Sequence, residues 1–237
     1  MKYLFRAYLA VNDPDSAERF HEGHTKILTD LGIESLTSNL PSWMSDPNVI
    51  VVNVTQENGE LVGGIRVHRY DGKNDLPLVA AIKDQDQNII NFVEEKMKQG
   101  GLAESCGLWN SKKVFGRGIS PLLARCSVSI TSFFEIHTLV CFSAPYTLKM
   151  IKSLGFKEIL TVGDQGRLPY PTEKFISSAL VIDDIYNIKT ATPENLERIN
   201  SLISNPHQHC VENSQGREVA VEYNFSEVLA YKGEKET

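Results

Sequence analysis

Residues 102–131 read LAESCGLWNSKKVFGRGISPLLARCSVSIT, and the fold turns on how this stretch divides. Leu102 to Trp109 is predicted as a strand, with Glu104, Cys106 and Leu108 on one face. Lys113-Val114-Phe115-Gly116-Arg117-Gly118 is a glycine-punctuated basic turn. From Ser120-Pro121 a helix follows, with Ile119, Leu122, Cys126, Ile130 and Phe133 on one stripe. A strand that turns through two glycines into a helix aims several backbone N–H groups, and the positive helix end, at one spot. Gly116 and Gly118 allow close approach of a bulky anion, and Lys112, Lys113 and Arg117 supply three cations. The turn therefore suits a diphosphate cradle; it suits equally a solvated basic turn whose glycines serve packing. It is not a P-loop, for GxxxxGK[ST] does not occur, and Pro121 stands where a GxGxxG fingerprint needs its third glycine.

Upstream, Lys2 to Leu9 reads as a first strand, and Asp13-Pro14-Asp15-Ser16 as the start of a helix that ends at Gly32. A Ser/Pro/Asn-rich loop follows, in which Trp43 and Met44 suit either a lid over a ligand or a cover over the core. Asn48–Thr55 and Glu60–Tyr70 are strands of a hairpin joined at Asn58-Gly59, with Gly63-Gly64 marking a bulge. Asp86 to Lys98 has helical spacing. Downstream, His137–Phe142 is a buried strand, Ala144 to Leu154 a helix stopped by Gly155, and Phe156–Val162 and Phe175–Ile182 are strands. From Asp183 the texture changes: a short helix runs from Thr192-Pro193 to Ile203, and Val219–Tyr223 is a last apolar alternation. The order predicts an α+β fold with a mixed, mostly hairpin-connected sheet and one helical crossover. Residues 1–183 form its core, and 184–237 a C-terminal extension packed on it.

The chain has 237 residues, 41% hydrophobic and 23% charged, with a formal net charge of −6. This excludes disorder and a coiled coil as the main organisation. No apolar run approaches the ~20 residues of a membrane span. Arg6 and Asp13-Pro14-Asp15 interrupt the opening in a way that does not suit a signal peptide. The acidic balance argues against nucleic acid as a partner. Cys106, Cys126, Cys141 and Cys210 form no CxxC pair and read as reduced thiols of a cytoplasmic protein, not as catalytic nucleophiles. His207-Gln208-His209-Cys210 lacks a second ligand pair at zinc spacing, so no metal is expected and the run reads as a polar surface segment. His21 and His24 share a helix flank and read as solvated.

The run from Lys113 to Gly118 resembles the acyl-cofactor loop of the GNAT superfamily of N-acyltransferases, [QR]xxGx[GA] between the fourth strand and the third helix. Lys113 stands at the Gln/Arg place, and Gly116 and Gly118 at the two small-residue places. HTLVCFS, APYTLKMIKS and Leu154-Gly155-Phe156 resemble the family's closing strand, helix and LGF-strand segment. Together the two pieces cover about Leu102 to Ile159. Phe115 departs from the Arg of many members, and Ile151 stands where members often carry a general-acid Tyr; Tyr146, further upstream, reads as the start of the helix. The length beyond a minimal member is similar to the N-acyl amino acid synthases and acyl-homoserine-lactone synthases.

The resemblance implies a GNAT-like mixed, mostly antiparallel sheet and an acyl group moved from acetyl-CoA or another acyl-CoA to a small-molecule amine by direct attack on the thioester. It leaves two alternatives: a long-chain N-acyl amino acid or signal synthase fed by acyl carrier protein, and a silent acyl-CoA-binding module. Leu108, Trp109 and Asn110 would then offer strand-end backbone groups to the cofactor and the oxyanion. Lys113, Val114, Phe115, Gly116, Arg117, Gly118 and Ile119 would form the cofactor loop. Glu104 is the candidate base, with an exposed strand-edge carboxylate as the other reading of it. Ser143 is the candidate acid toward the leaving sulfur, or else the N-cap of the next helix.

Overall fold

A computed structural model describes residues 2–33, 36–214 and 216–235, with the side chains of 232–235 left aside. β1 (Lys2–Leu9) leads to α1 (Pro14–Asp30), which Asp13 caps by accepting from the Ser16 N–H at 3.1 Å, with Pro14 in the first turn. β2 (Val49–Gln56) and β3 (Leu61–Arg69) form the hairpin, and its ladder slips opposite Gly63 and again beyond Gly64. Then come α2 (Pro77–Ile82), α3 (Asn88–Lys98), β4 (Leu102–Asn110), α4 (Ile119–Thr131), β5 (Thr138–Ser143), α5 (Leu148–Ser153), β6 (Lys157–Glu158), β7 (Arg167–Pro169) and β8 (Ile176–Ile182). α6 (Pro193–Ser204), β9 (His207–Ser214), β10 (Arg217–Asn224) and α7 (Ser226–Lys235) complete the chain.

The strands join one sheet in the order β6-β8-β5-β4-β3-β2-β1-β10-β9, with β7 also paired to β8. Among the described residues only the β1–β10 and β4–β5 contacts are parallel. The α+β expectation of a mixed, mostly antiparallel sheet flanked by helices is met. α4 packs one face together with Ile199 and Leu202 of α6 and Val228 of α7. The other face is covered by α1, through Ala17 and Phe20, and by α2 and α3, through Leu78, Ile82, Ile89 and Val93. Burying such apolar surface on both faces is the main stabilising term.

Several sequence readings need correction. The strand expected over Phe156–Val162 shrinks to Lys157–Glu158, because the chain turns at Gly163 and the Gly166 N–H bonds back to the Val162 carbonyl at 2.7 Å. The helix expected from Ala144 starts at Leu148, since Ala144–Thr147 form a separate turn. The polar run His207–Cys210 is part of β9, an edge strand whose alternation escapes notice because its inward positions include Gln208, Glu212 and Ser214 while Val211 faces outward. α2, β7 and α7 are further elements.

The C-terminal strands are tied to α4 by a buried polar network. Arg125 donates to Glu212 of β9 at 2.9 Å and to Asn195 of α6 at 2.7 Å. The Tyr223 hydroxyl donates to the same Glu212 at 3.1 Å. Here a charge is buried with its partners, the arrangement that makes such burial tolerable.

Candidate functional site

β4 and β5 pair only over Leu102–Glu104 and Thr138–Val140; beyond that they part. The opening between them is a cavity of about 430 Å3. Its walls come from the rest of β4, the end of β5, the C-terminal half of α1 and the segment 36–38. The lining from α1 and the residues after it is aliphatic: Ile27, Leu28, Leu31, Ile33 and Leu36. Phe115 and Tyr146, 61% and 76% exposed, stand at the rim.

Gly107 decides how β4 faces this cavity. Its φ is +62°, and the β3–β4 ladder passes from Gly64–Trp109 to Arg66–Cys106, which leaves an extra residue in β4. This is a bulge, and it shifts the side-chain alternation by one place. Glu104 and Cys106 therefore face the cavity, whereas Leu108 packs into the core under α4. The predicted single face for Glu104, Cys106 and Leu108 is thus wrong, and the glycine is the reason. Beyond Glu104 β4 has no partner on β5, and Gly107 and Leu108 of the bulge line the cavity on that side.

The turn after β4 is built as two pieces. Lys112–Val114 form a 3-10 turn capped by the Ser111 side chain, and Gly116 and Gly118 adopt φ of +68° and +74° before α4 begins. No side chain caps α4, so the first N–H groups of that helix are left to solvent or a ligand. A Cβ at Gly116 would meet nothing within 4 Å, whereas one at Gly118 would run into Ser214 of β9. Of the three cations, Lys112 pairs with Asp30 at 3.0 Å and Lys113 with Glu60 at 2.5 Å. Among the described residues Arg117 makes no side-chain ion pair or hydrogen bond. The two lysine pairs are exposed and correspondingly weak.

The predicted site residues divide accordingly. Glu104, Ser143, Leu108, Trp109, Asn110 and Phe115 line the cavity. Lys113, Gly116, Arg117 and Gly118 form the adjoining turn. The side chains of Val114 and Ile119 are buried in the core and can offer only backbone. Trp109 is also largely buried, edge-on to Phe20 with ring centroids 5.9 Å apart.

Glu104 is 1% exposed, on an interior strand and not at an edge. Its Oε2 accepts the Leu78 N–H at 2.8 Å. Burial pushes its carboxyl up to about 8, against the lowering effects of that hydrogen bond and of Arg66. Ser143 is not a helix cap: its hydroxyl pairs with the Thr147 hydroxyl at 2.9 Å, and the helix begins after Thr147. Burial pushes the Cys106 thiol up to about 12, so it is not an activated nucleophile.

Three groups at the site escape the sequence reading. Tyr146 is a rim residue and not the start of the helix. His24 is buried, not solvated, and burial with nearby Arg66 drives its imidazole down to about 3. Arg66 on β3 is fully buried, with its guanidinium 4.2 Å from the ring centre of Trp43. Trp43 packs in the buried cluster with Phe20 and Trp109 and does not line the cavity, which is the core-cover reading of that loop. Away from the cavity, His207 and His209 approach Glu222 with donor atoms within 4.8 Å. Lys2 already holds that carboxylate at 2.6 Å.

No family model and no curated protein matches the sequence. Solved structures do match. FeeM, an N-acyl amino acid synthase from uncultured soil microbes, is 17% identical over 82% of this chain and 98% of its own, at a TM-score of 0.60. BjaI, a CoA-dependent acyl-homoserine lactone synthase solved with SAM and isopentyl-CoA, is 13% identical over 98% of this chain and 99% of its own, at 0.56. NAA60 of Arabidopsis thaliana, solved with acetyl-CoA, is 15% identical over 76% of this chain and 97% of its own, at 0.50. The fold is that of the GNAT N-acyltransferases. Within it, the parting of β4 from β5, the bulge at Gly107 and the glycine turn at 116–118 shape this chain's cavity and its approach. Among the described residues no helix is long and apolar enough to cross a membrane.

Proposed function

We propose that the protein transfers an acyl group from an acyl-CoA to a small-molecule amine. The observation that carries this reading is the continuity of the uncapped glycine turn at 116–118 with the cavity between the parted strands. A CoA diphosphate fits the turn, where orphan N–H groups and Arg117 meet it. The pantetheine arm then runs between β4 and β5, alongside backbone groups that the sheet leaves unpaired.

The acceptor amine attacks the thioester carbonyl, its nitrogen–carbon bond forms, and the carbon–sulfur bond breaks to release CoA thiolate. In this reading a backbone N–H at the Gly107–Leu108 bulge, which lines the cavity, holds the tetrahedral oxyanion. Glu104 takes the proton from the amine in its ionised form, which is populated as pH approaches 8. Ser143, or Tyr146 at the rim, gives its hydroxyl proton to the leaving sulfur and takes one back from solvent, while Glu104 releases the amine's proton to solvent. No metal enters this scheme.

The aliphatic lining from α1 and the residues after it supports an acyl chain longer than acetyl, because a longer chain would bury that apolar surface. That observation favours the long-chain synthase as a second reading, with acyl carrier protein as its donor.

Thiol release should be followed with acetyl-, octanoyl- and decanoyl-CoA and octanoyl-carrier protein against a panel of amines. The reading predicts amine-dependent release, fastest with octanoyl or decanoyl donors. Binding of the acyl-CoAs with no release under any amine would reduce the protein to a silent binding module. Release from the carrier protein alone would replace CoA as the donor.

A further inference from the structure

Two histidines and a glutamate converge at the outer edge of the sheet, away from the cavity. His207 and His209 are two places apart on β9, so both imidazoles leave the strand on the same side. Pairing with β10 sets Glu222 directly opposite His209, where cross-strand side chains meet. The donor atoms of the three residues all lie within 4.8 Å of one another. His209 Nδ1 is 3.5 Å from Glu222 Oε2, and the two imidazole centroids are 6.2 Å apart. In the sequence the histidine pair has no partner ligand; the β9–β10 register supplies one.

This donor set is selective. Two imidazole nitrogens and a carboxylate oxygen suit zinc and its neighbours in the first transition row, whereas magnesium and calcium take oxygen ligands. Ligands about 2.0–2.1 Å from a tetrahedral ion stand roughly 3.4 Å from one another. Closing to that spacing from at most 4.8 Å is a matter of side-chain rotation, and both histidines are exposed. Among the described residues neither imidazole makes a hydrogen bond that would hold it back. Cys210 is turned to the other side of the strand, with its Sγ 3.9 Å from Glu212, and does not join the set. The competitor is Lys2, whose Nζ lies 2.6 Å from Glu222 Oε2. That pair is exposed, and such pairs are weak. A cation taken on Oε1 need not displace the lysine, although its charge lowers the affinity.

We propose that His207, His209 and Glu222 bind a divalent transition-metal ion of the zinc class, whose remaining coordination is open to water. The ion pins the start of β9 to the end of β10. Among the described residues β9 pairs with β10 alone, so the clip acts where the sheet has ladder contacts on one side only. β3, β2, β1 and β10 stand between β9 and β4. The ion takes no part in acyl transfer, and the site does not depend on that reading.

The test is calorimetric titration of zinc chloride into the full chain, expressed without a histidine tag and stripped of metal with a chelator. One equivalent should bind wild type with micromolar affinity, and magnesium chloride should give no binding at the same concentrations. H207A, H209A and E222Q should each weaken zinc binding at least tenfold. C210S should leave it unchanged, and K2M should tighten it about threefold by removing a nearby positive charge. Zinc should also raise the melting temperature of wild type but not that of H209A, because an ion that binds the folded chain stabilises it. Melting curves without zinc check that the variants fold. Zinc affinity of wild type no greater than that of the double variant H207A/E222Q would overturn the proposal. Binding kept in H209A and lost in C210S would overturn it too, by assigning the ion to a thiol.

Discussion

Replacing Glu104 with Gln tests the electrostatics of the cavity without relying on any substrate. The carboxyl is buried, and its ordinary value of 4.5 is raised to about 8. The unfolded chain releases this proton near its ordinary value, whereas the folded chain keeps it to about pH 8. Between those two values the folded state binds more protons, so stability falls as pH rises, by about 1.4 kcal/mol per pH unit. Over the whole window the loss amounts to roughly 5 kcal/mol. Gln is neutral throughout and can still accept the Leu78 N–H, so E104Q lacks this slope. Between pH 5 and pH 8 about 3.5 kcal/mol of that is lost, so at roughly 2–4 °C per kcal/mol for a chain of this size wild type should lose about 7–14 °C relative to E104Q. Thermal melts of both proteins at pH 5, 6.5 and 8 read the difference, in which the other titrating groups cancel. A gap between the two melting temperatures that does not change with pH would refute the buried-carboxyl argument.

Other expectations rest on the same geometry. Wild-type turnover should rise as pH passes about 8 and E104Q should lose that limb; identical pH–rate profiles would remove Glu104 as base. Gly116→Val meets no neighbour but forces a branched side chain to φ +68°, so calorimetry should show acyl-CoA affinity down at least tenfold while the protein still melts cooperatively. Arg125→Ala leaves Glu212 without its closest charged partner, and denaturant unfolding should report a loss of about 3–5 kcal/mol. A loss below 1 kcal/mol would mean that the C-terminal strands do not depend on this network.

Much of the fold could be read from local signals that act within a few residues. The Asp13 cap, the Asn58-Gly59 hairpin, the aliphatic strand before the basic turn and the stripe of α4 all form where expected. The glycine turn could be read for the same reason, because only glycine accepts those backbone angles cheaply. The site was harder. A bulge moves Leu108 off the face of Glu104, and its only mark in the sequence is Gly107, which a strand pattern simply absorbs. Glu104 is met by the Leu78 N–H of α2, and the cavity that Glu104 and His24 line is walled by residues 36–38, contacts between elements far apart in the chain. Arg66 did leave a trace: in IRVHRY, Arg66 and His68 take alternate places in an otherwise β-branched strand, one face of which is thereby polar. β9 hid because its inward positions include Gln208, Glu212 and Ser214, whose burial rests on partners from other elements, while Val211 faces outward.

The most direct measurement is a crystal structure with a thioether analogue of octanoyl-CoA, whose sulfur cannot be released. The account predicts the diphosphate on the backbone of residues 116–120, the pantetheine between β4 and β5, and the octanoyl chain among Leu28, Leu31 and Leu36. A diphosphate bound elsewhere, with the opening between the two strands left empty, would contradict it.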